Sequence, residues 1–396
     1  MPEIELRLED GMVDEVRDCL QGVLAHNEGW RRSLSRIAEW GMSPGPDRGA
    51  VLTRLLAVQA SGPGLAYLAM AHALWMEEEQ QVVPALNSWN RASRAHAGTL
   101  NAEAMRTLGL GDEQSFKACA SRMRELRSQY LKQSLNHGSQ CIDSKDYFRI
   151  QRALVGYLGE ASVFSSFPTQ RPKVIYVPGL GTGGFLDPQS HPIVPALRSA
   201  FGRVQAEFDE VMFDQQALEP FMGHAGGGAL EGYVSGGERA SWDALFFFRH
   251  GRRFDAAHQR CPRTSELLDS LDLCRIDGQS PEICFSVLQP GSRIEPHHGV
   301  TNARVVVHLP LRVPQGCHLE LTDVGRHDWV EGEPMVFDDS FEHSALNPSD
   351  QPRGILLMDA WHPSLSLVER QAFSRLIEAI SSIERDRFLP AEQQDA

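Results

Sequence analysis

Two histidines stand side by side at positions 297 and 298, in EPHHGVTNARVVVHLPL (residues 295–311), just ahead of a valine-rich run that itself carries His308. Another, His343, lies 46 positions beyond His297 in FDDSFEHSALN (residues 337–347). Imidazole is the commonest side-chain metal ligand. An iron(II) centre that must bind dioxygen and a co-substrate usually takes two histidines and one carboxylate from a β-scaffold, which leaves coordination positions open. His297 or His298, paired with His343, is the candidate. Their separation suits neighbouring strands of one barrel joined by intervening hairpins. The carboxylate that such a site places two positions after its first histidine is missing after His297, where Gly299 stands.

A site of this kind needs strands to hold it, and the chain supplies them beyond about residue 174. The runs VIYV, ICFSVL, ARVVVHL, CHLEL, PMVF and GILLMDA, separated by Gly, Pro and Asp, predict an antiparallel sandwich or barrel. After Pro363 the pattern returns to a helix in VERQAFSRLIEAISSIE. Ahead of the strands, residues 12–132 repeat apolar positions at helical spacing, as in VLTRLLAVQ, LAYLAMAHALWM and ACASRMRELRSQYL. This predicts about five or six helices, broken at SPGPDRG and SGPG. The expected organisation is α+β: an α-helical domain over 1–135, a linker with a leading helix over 136–173, and a β-domain over 174–390. The helical domain reads as a packing or dimerisation element, so a homo-oligomer formed through it is expected.

The surroundings exclude several function classes. A formal charge of −14 and the lack of a basic stripe with interleaved aromatics argue against nucleic acid as a partner. The N-terminal residues contain no apolar core of a signal peptide, and no apolar run approaches the length of a bilayer span. Seven scattered cysteines without CxxC pairing fit reduced thiols. A cytoplasmic protein without a membrane partner is the expectation.

VIYVPGLGTGGF spaces Gly179, Gly181 and Gly184 as a dinucleotide fingerprint does, directly after a strand-like run. The fingerprint requires a helix to open there, yet Pro188, Pro192 and Pro195 follow, so the segment reads as a loop. The Gly-rich stretch over 222–241 reads as a substrate lid or an ordinary mobile loop, with Arg239 near its end able to meet a substrate anion.

From about residue 242 to 365 the chain resembles the aspartyl/asparaginyl β-hydroxylase family. The motifs that carry the likeness appear in the family's order: RHGRR, FSVLQPGSRIEPHHGVTN, HLPLRVPQGCHL, WVEGEPMVFDDSFEHSALN and RGILLMDAWHP. They cover roughly a third of the chain and leave the helical region aside. The resemblance implies a double-stranded β-helix, a jelly-roll or cupin-like dioxygenase domain, that uses iron(II), 2-oxoglutarate and dioxygen. It implies His297 and His343 as the metal ligands, with Gly299 in place of the carboxylate and His298 as a minor alternative ligand. Asp339 would support a water in the vacant position. Arg353 and Ser286 would hold the distal carboxylate of 2-oxoglutarate, with His308 binding it near the metal. Arg304 and Arg239 are the expected substrate contacts. A carboxylate restored by Gly299→Asp should then be tolerated by the metal.

One departure is Val306, where the family often has a second arginine two positions after the first. Another is His258 and Ser265, in the stretch where some members carry a cysteine pair. The implied reaction is β-hydroxylation of an aspartyl or asparaginyl residue in a peptide or protein. The alternatives are hydroxylation of a free or carrier-bound small molecule, an iron/2-oxoglutarate halogenase, and a cupin-like binding protein without catalysis.

Overall fold

Residues 69, 72–74, 76–99, 113–136, 147–181, 183–214, 217–221, 233–236 and 240–384 are described by a computed structural model of the chain. The chain divides into two compact units, one formed by Met1–Ser134 with Ala379–Ala396, the other by Leu135–Glu378. In the first, helices α1 (Val82–Thr99) and α2 (Glu113–Asn136) are described, and the last helix of the chain, α7 (Leu367–Ile383), brings its C-terminal end. The final carbonyls of a helix lack internal partners. Asn87 and Asn90 of α1 donate to two of them, those of Ser382 and Ile383, at 2.8 and 2.5 Å. The helices expected N-terminal to residue 69 lie outside the described residues.

The second unit is built on two antiparallel sheets. The larger runs β1 (Phe185–Leu186), β11 (Met335–Phe337), β8 (Arg304–Arg312), β13 (Arg353–Trp361), β6 (Ile283–Leu288), β4 (Trp242–Arg249) and β2 (Glu219–Pro220), with β5 (Arg252–Arg253) paired to β4. The smaller runs β10 (Gly325–Asp328), β9 (His318–Leu321), β12 (His343–Leu346), β7 (Ser292–His297) and β3 (Val234–Gly236). From β6 to β13 the chain crosses from sheet to sheet, apart from the β9–β10 hairpin within the smaller one. That winding is the double-stranded β-helix of cupin-like jelly rolls.

Strand period decides what faces what. Val305, Val307, Leu309 and Leu311 of β8, Ile283, Phe285 and Val287 of β6, and Leu356, Met358 and Ala360 of β13 form one core with helix α4 (Val194–Phe213), through Leu197, Val204 and Phe208. The opposite parity, with Leu288, Val306 and Leu357, meets Leu319, Leu321, Phe337 and Ala345 between the sheets. Ser286, His308, Arg304 and Arg353 share this inward parity; Ser286 and His308 lie toward the Arg353 end of the ladder, whereas Arg304 pairs with Trp361 at the other end. Gly354 on the outer face has no alternative, since a Cβ there would collide with the Phe208 ring.

Three local expectations change. VIYV forms only an isolated bridge, Ile175 with Thr301, because the Asn302 side chain takes both backbone groups of Val177, accepting at 2.7 Å and donating at 2.8 Å. Pro195 does not prevent a helix: it lies in the first turn of α4, where no amide donor is required. WDALFFFR, with its apolar stretch ALFFF and no strand assigned to it from the sequence, is β4, mostly buried between its neighbours. As expected, no helix opens at Gly179–Gly184 among the described residues; Gly179 instead presents its carbonyl to Arg149. Among the described residues no helix is long and apolar enough to cross a membrane. Cys261, Cys274, Cys284 and Cys317 are buried and unbridged.

Candidate metal and co-substrate site

His297, the last residue of β7, and His343, the first of β12, are direct partners across the smaller sheet, with ring centroids 4.1 Å apart. The ladder shifts register between His343 and Ala345, an irregularity of the kind that re-aims a side chain. Each ring is oriented by the backbone two residues earlier. Nδ1–H of His297 donates to the Glu295 carbonyl (2.8 Å), and Nδ1–H of His343 to that of Phe341 (2.9 Å). This fixes the tautomer and leaves both Nε2 lone pairs available, the arrangement of a metal-ligating histidine. Burial and the neighbouring His343 push His297 down to about 4. Burial likewise pushes His343 to about 4. Both are therefore neutral at pH 7 and fit a divalent metal. His298 turns away, its Nε2–H on the Thr169 carbonyl at 3.2 Å. Among the described residues no three His, Cys, Asp or Glu side chains gather as a metal-ligand set.

The space beside Gly299 is occupied. A Cβ at that position would fall on the Asp339 carboxylate, and the Gly299 amide donates to the Asp339 carbonyl at 2.6 Å. The carboxylate missing two positions after His297 is thus replaced in space by one from the loop ahead of His343. A side chain at position 299, as in Gly299→Asp, would have to displace the Asp339 carboxylate. Asp339 is buried; burial pushes its carboxyl up while Arg304 pulls it down. Its Oδ1 has no partner among the described residues. Arg304 lies between two acids, with one amino group on Asp359 and the other 3.6 Å from Asp339. Burial opposes its charge, yet Asp359 and Asp339 raise its pKa above the ordinary value. Asp359 is held in turn by the Glu282 amide at 2.8 Å. Arg304, expected to meet substrate, is placed inside this network. Arg239 lies outside the described residues.

Arg353 is 1% exposed. Among the described residues it has no carboxylate partner: its Nε is unsatisfied, and Nη1 reaches only the Ser286 carbonyl, at 3.5 Å. Burial lowers its pKa to about 10. Ser286 Oγ accepts the Trp242 indole N–H (2.9 Å), which frees its own proton for donation. His308 Nδ1 accepts the Trp329 indole N–H (3.2 Å), and its Nε2 has no partner among the described residues. A buried cation with unpaired donors around it is expensive unless an anion completes it. The three residues fit a carboxylate.

Sequence reasoning missed residues 169–173, assigned to the linker. The Arg171 amide donates to Ser340 (2.9 Å), the Lys173 amide to Gly299 (2.9 Å), and the Thr169 carbonyl accepts from Glu342 (2.8 Å). Lys173 Nζ reaches the Tyr233 hydroxyl (3.3 Å), and the Tyr233 ring meets that of His297 edge-on at 5.9 Å. No local pattern marks Lys173 or Tyr233, because neither is near a ligand in sequence.

The class defined by this geometry is a cupin-like β-domain with an adjacent pair of neutral histidines and a buried arginine that lacks a carboxylate partner among the described residues. Residues 198–363 match the family model described as Aspartyl/Asparaginyl beta-hydroxylase. That segment is less than half of the chain. Among relatives, aspartate beta-hydroxylase domain-containing protein 2 of Homo sapiens is 33% identical over 210 residues, covering 51% of this chain and 54% of that protein. The chain therefore spans about half the length of that relative. The aspartyl/asparaginyl beta-hydroxylase of Mus musculus is 33% identical over 139 residues, which cover 34% of this chain and 18% of that one. A solved prolyl-4-hydroxylase from Pseudomonas putida superposes with a TM-score of 0.26 at 17% identity, over 43% of this chain and 98% of that one.

Proposed function

We propose that this chain is an iron(II)- and 2-oxoglutarate-dependent hydroxylase acting on an aspartyl or asparaginyl residue of a peptide or protein. The observation that carries the proposal is Arg353, a buried guanidinium without a carboxylate among the described residues, in a domain whose neutral histidine pair is connected to His308 through the Phe337 ring, 5.5 Å from His343 and 5.1 Å from His308. Iron(II) held by His297 and His343 would supply dioxygen activation coupled to oxidative decarboxylation of 2-oxoglutarate. The protein's own contribution is binding and orientation. Arg353 and the Ser286 hydroxyl hold one carboxylate of the co-substrate, and His308 Nε2–H donates to the end nearer the histidine pair. The Asp339 carboxylate fills the space beside Gly299, and its Oδ1, without a partner among the described residues, offers an acceptor to a metal-bound water. The same carboxylate favours the hydroxylase over the halogenase alternative, because a negative group there disfavours chloride. The match of residues 198–363 to a hydroxylase family model supports the reaction class.

The test is incubation of the full chain with iron(II), ascorbate, 2-oxoglutarate, chloride and candidate Asp- or Asn-containing peptides. The expected result is succinate formation and a gain of one oxygen in a peptide, both abolished by His297→Ala. A chlorinated product would overturn the hydroxylase assignment, and absence of succinate under all conditions would overturn the co-substrate.

A further inference from the structure

We infer that Trp329 is the positioning residue that sets the donor pattern of the anion pocket; this rests on the co-substrate reading above. Trp329 lies between β10 and β11 and is 5% exposed. Its indole N–H donates to His308 Nδ1 at 3.2 Å, and its ring face carries the Arg353 guanidinium 4.7 Å from the centroid. One side chain therefore governs two of the groups that face the pocket.

An indole nitrogen can only donate, so His308 Nδ1 must be the accepting nitrogen and the ring's single proton must sit on Nε2. Nε2 has no partner among the described residues, which makes it an unused donor in a buried cavity. In the opposite tautomer, Nε2 would present a lone pair to the pocket and repel a carboxylate oxygen. Burial and the nearby Arg353 keep the ring neutral, so tautomer choice, and not charge, decides whether the position donates or accepts. At Arg353, the aromatic face provides the electrostatic partner that holds the fork while no anion is bound. Trp242 acts in parallel on Ser286, while its ring stacks on Phe221 with centroids 3.8 Å apart.

The experiment uses the full chain and two variants that separate the contributions. Trp329→Phe keeps a ring face under Arg353 and removes the N–H; Trp329→Leu removes both. Calorimetric titration of 2-oxoglutarate with manganese(II) present should give a dissociation constant weakened on the order of tenfold in Trp329→Phe and on the order of a hundredfold in Trp329→Leu. Independently, nitrogen-15 spectra of histidine-labelled, metal-free protein should show His308 as the Nε2–H tautomer, and as a mixture in Trp329→Phe. His308 is assigned by its absence in His308→Gln.

If the unmodified chain does not bind 2-oxoglutarate, the co-substrate assignment falls and this inference with it. Unchanged affinity and an unchanged tautomer in Trp329→Phe overturn only the role of Trp329. An Nδ1–H tautomer in the unmodified protein overturns it as well, and that measurement needs no variant to fold.

Discussion

Arg353→Met should move stability and binding in opposite directions. The guanidinium is 1% exposed, and its pKa is lowered by burial to about 10. At ~1.4 kcal/mol for each pH unit of depression, that corresponds to roughly 3 kcal/mol of unfavourable burial. The sign follows from linkage: the folded chain binds the guanidinium's proton less tightly than the unfolded chain does, so below the folded pKa, and hence at pH 7, the whole penalty is present. Methionine removes it but also removes the contact with the Trp329 face, worth about 1–2 kcal/mol. A net gain of about 1–2 kcal/mol is expected for ligand-free protein, a rise of about 2–8 °C in melting temperature. Binding of 2-oxoglutarate loses a charged hydrogen-bonding partner, about 1.5–3 kcal/mol, or roughly tenfold to 150-fold in affinity. Thermal melts and calorimetric titration read the two quantities separately. A destabilised Arg353→Met that still bound 2-oxoglutarate normally would refute the idea of an uncompensated cation waiting for an anion.

His297→Ala and His343→Ala should each abolish binding of iron(II) or cobalt(II), whereas His298→Ala, whose ring is committed to Thr169, should retain it; metal content after dialysis distinguishes the three. Gly299→Ala should displace the Asp339 carboxylate and lower stability by about 1–3 kcal/mol, as overpacking does, and an unperturbed denaturation midpoint would contradict the close approach. Stability of the metal-free protein should fall as pH drops from about 6.5 toward 4, because the unfolded chain protonates its histidines near 6.5 while His297 and His343 stay neutral to about 4 when folded. Glu282 and Asp338, which burial raises to about 7, act the other way, as do Asp339, Asp359 and Glu378, whose carboxyls burial also raises, but the histidines with lowered values outnumber them. His343→Gln should flatten the acid limb in urea titrations, and an unchanged slope would count against its buried neutral state.

Much of the site was legible because β-strands have a period of two. In ARVVVHL and GILLMDA the same parity that places Arg304, His308 and Arg353 on one face places Val305, Val307, Leu356 and Met358 on the other. Motif order supplied the pairing of His297 with His343, which spacing alone left open between two adjacent histidines. What the sequence did not disclose depends on contacts between distant segments. Gly299 reads as an absence, yet it makes room for Asp339. Trp329 opens one of the motifs with no role assigned to it, yet it orients His308 and faces Arg353. Residues 169–173 read as linker because polar, helix-poor sequence carries no record of the backbone bonds it makes with residues 299 and 340–342. Pro195 misled because a proline that stops a helix interior is compatible with its first turn.

The most direct measurement is an anaerobic calorimetric titration of the full chain, first with iron(II) and then with 2-oxoglutarate. A two-histidine centre together with the Arg353 pocket predicts one equivalent of iron, then one equivalent of 2-oxoglutarate. It further predicts that His343→Ala abolishes the first event and Arg353→Met weakens only the second. Iron binding that survives His343→Ala, or 2-oxoglutarate binding indifferent to Arg353, would contradict it.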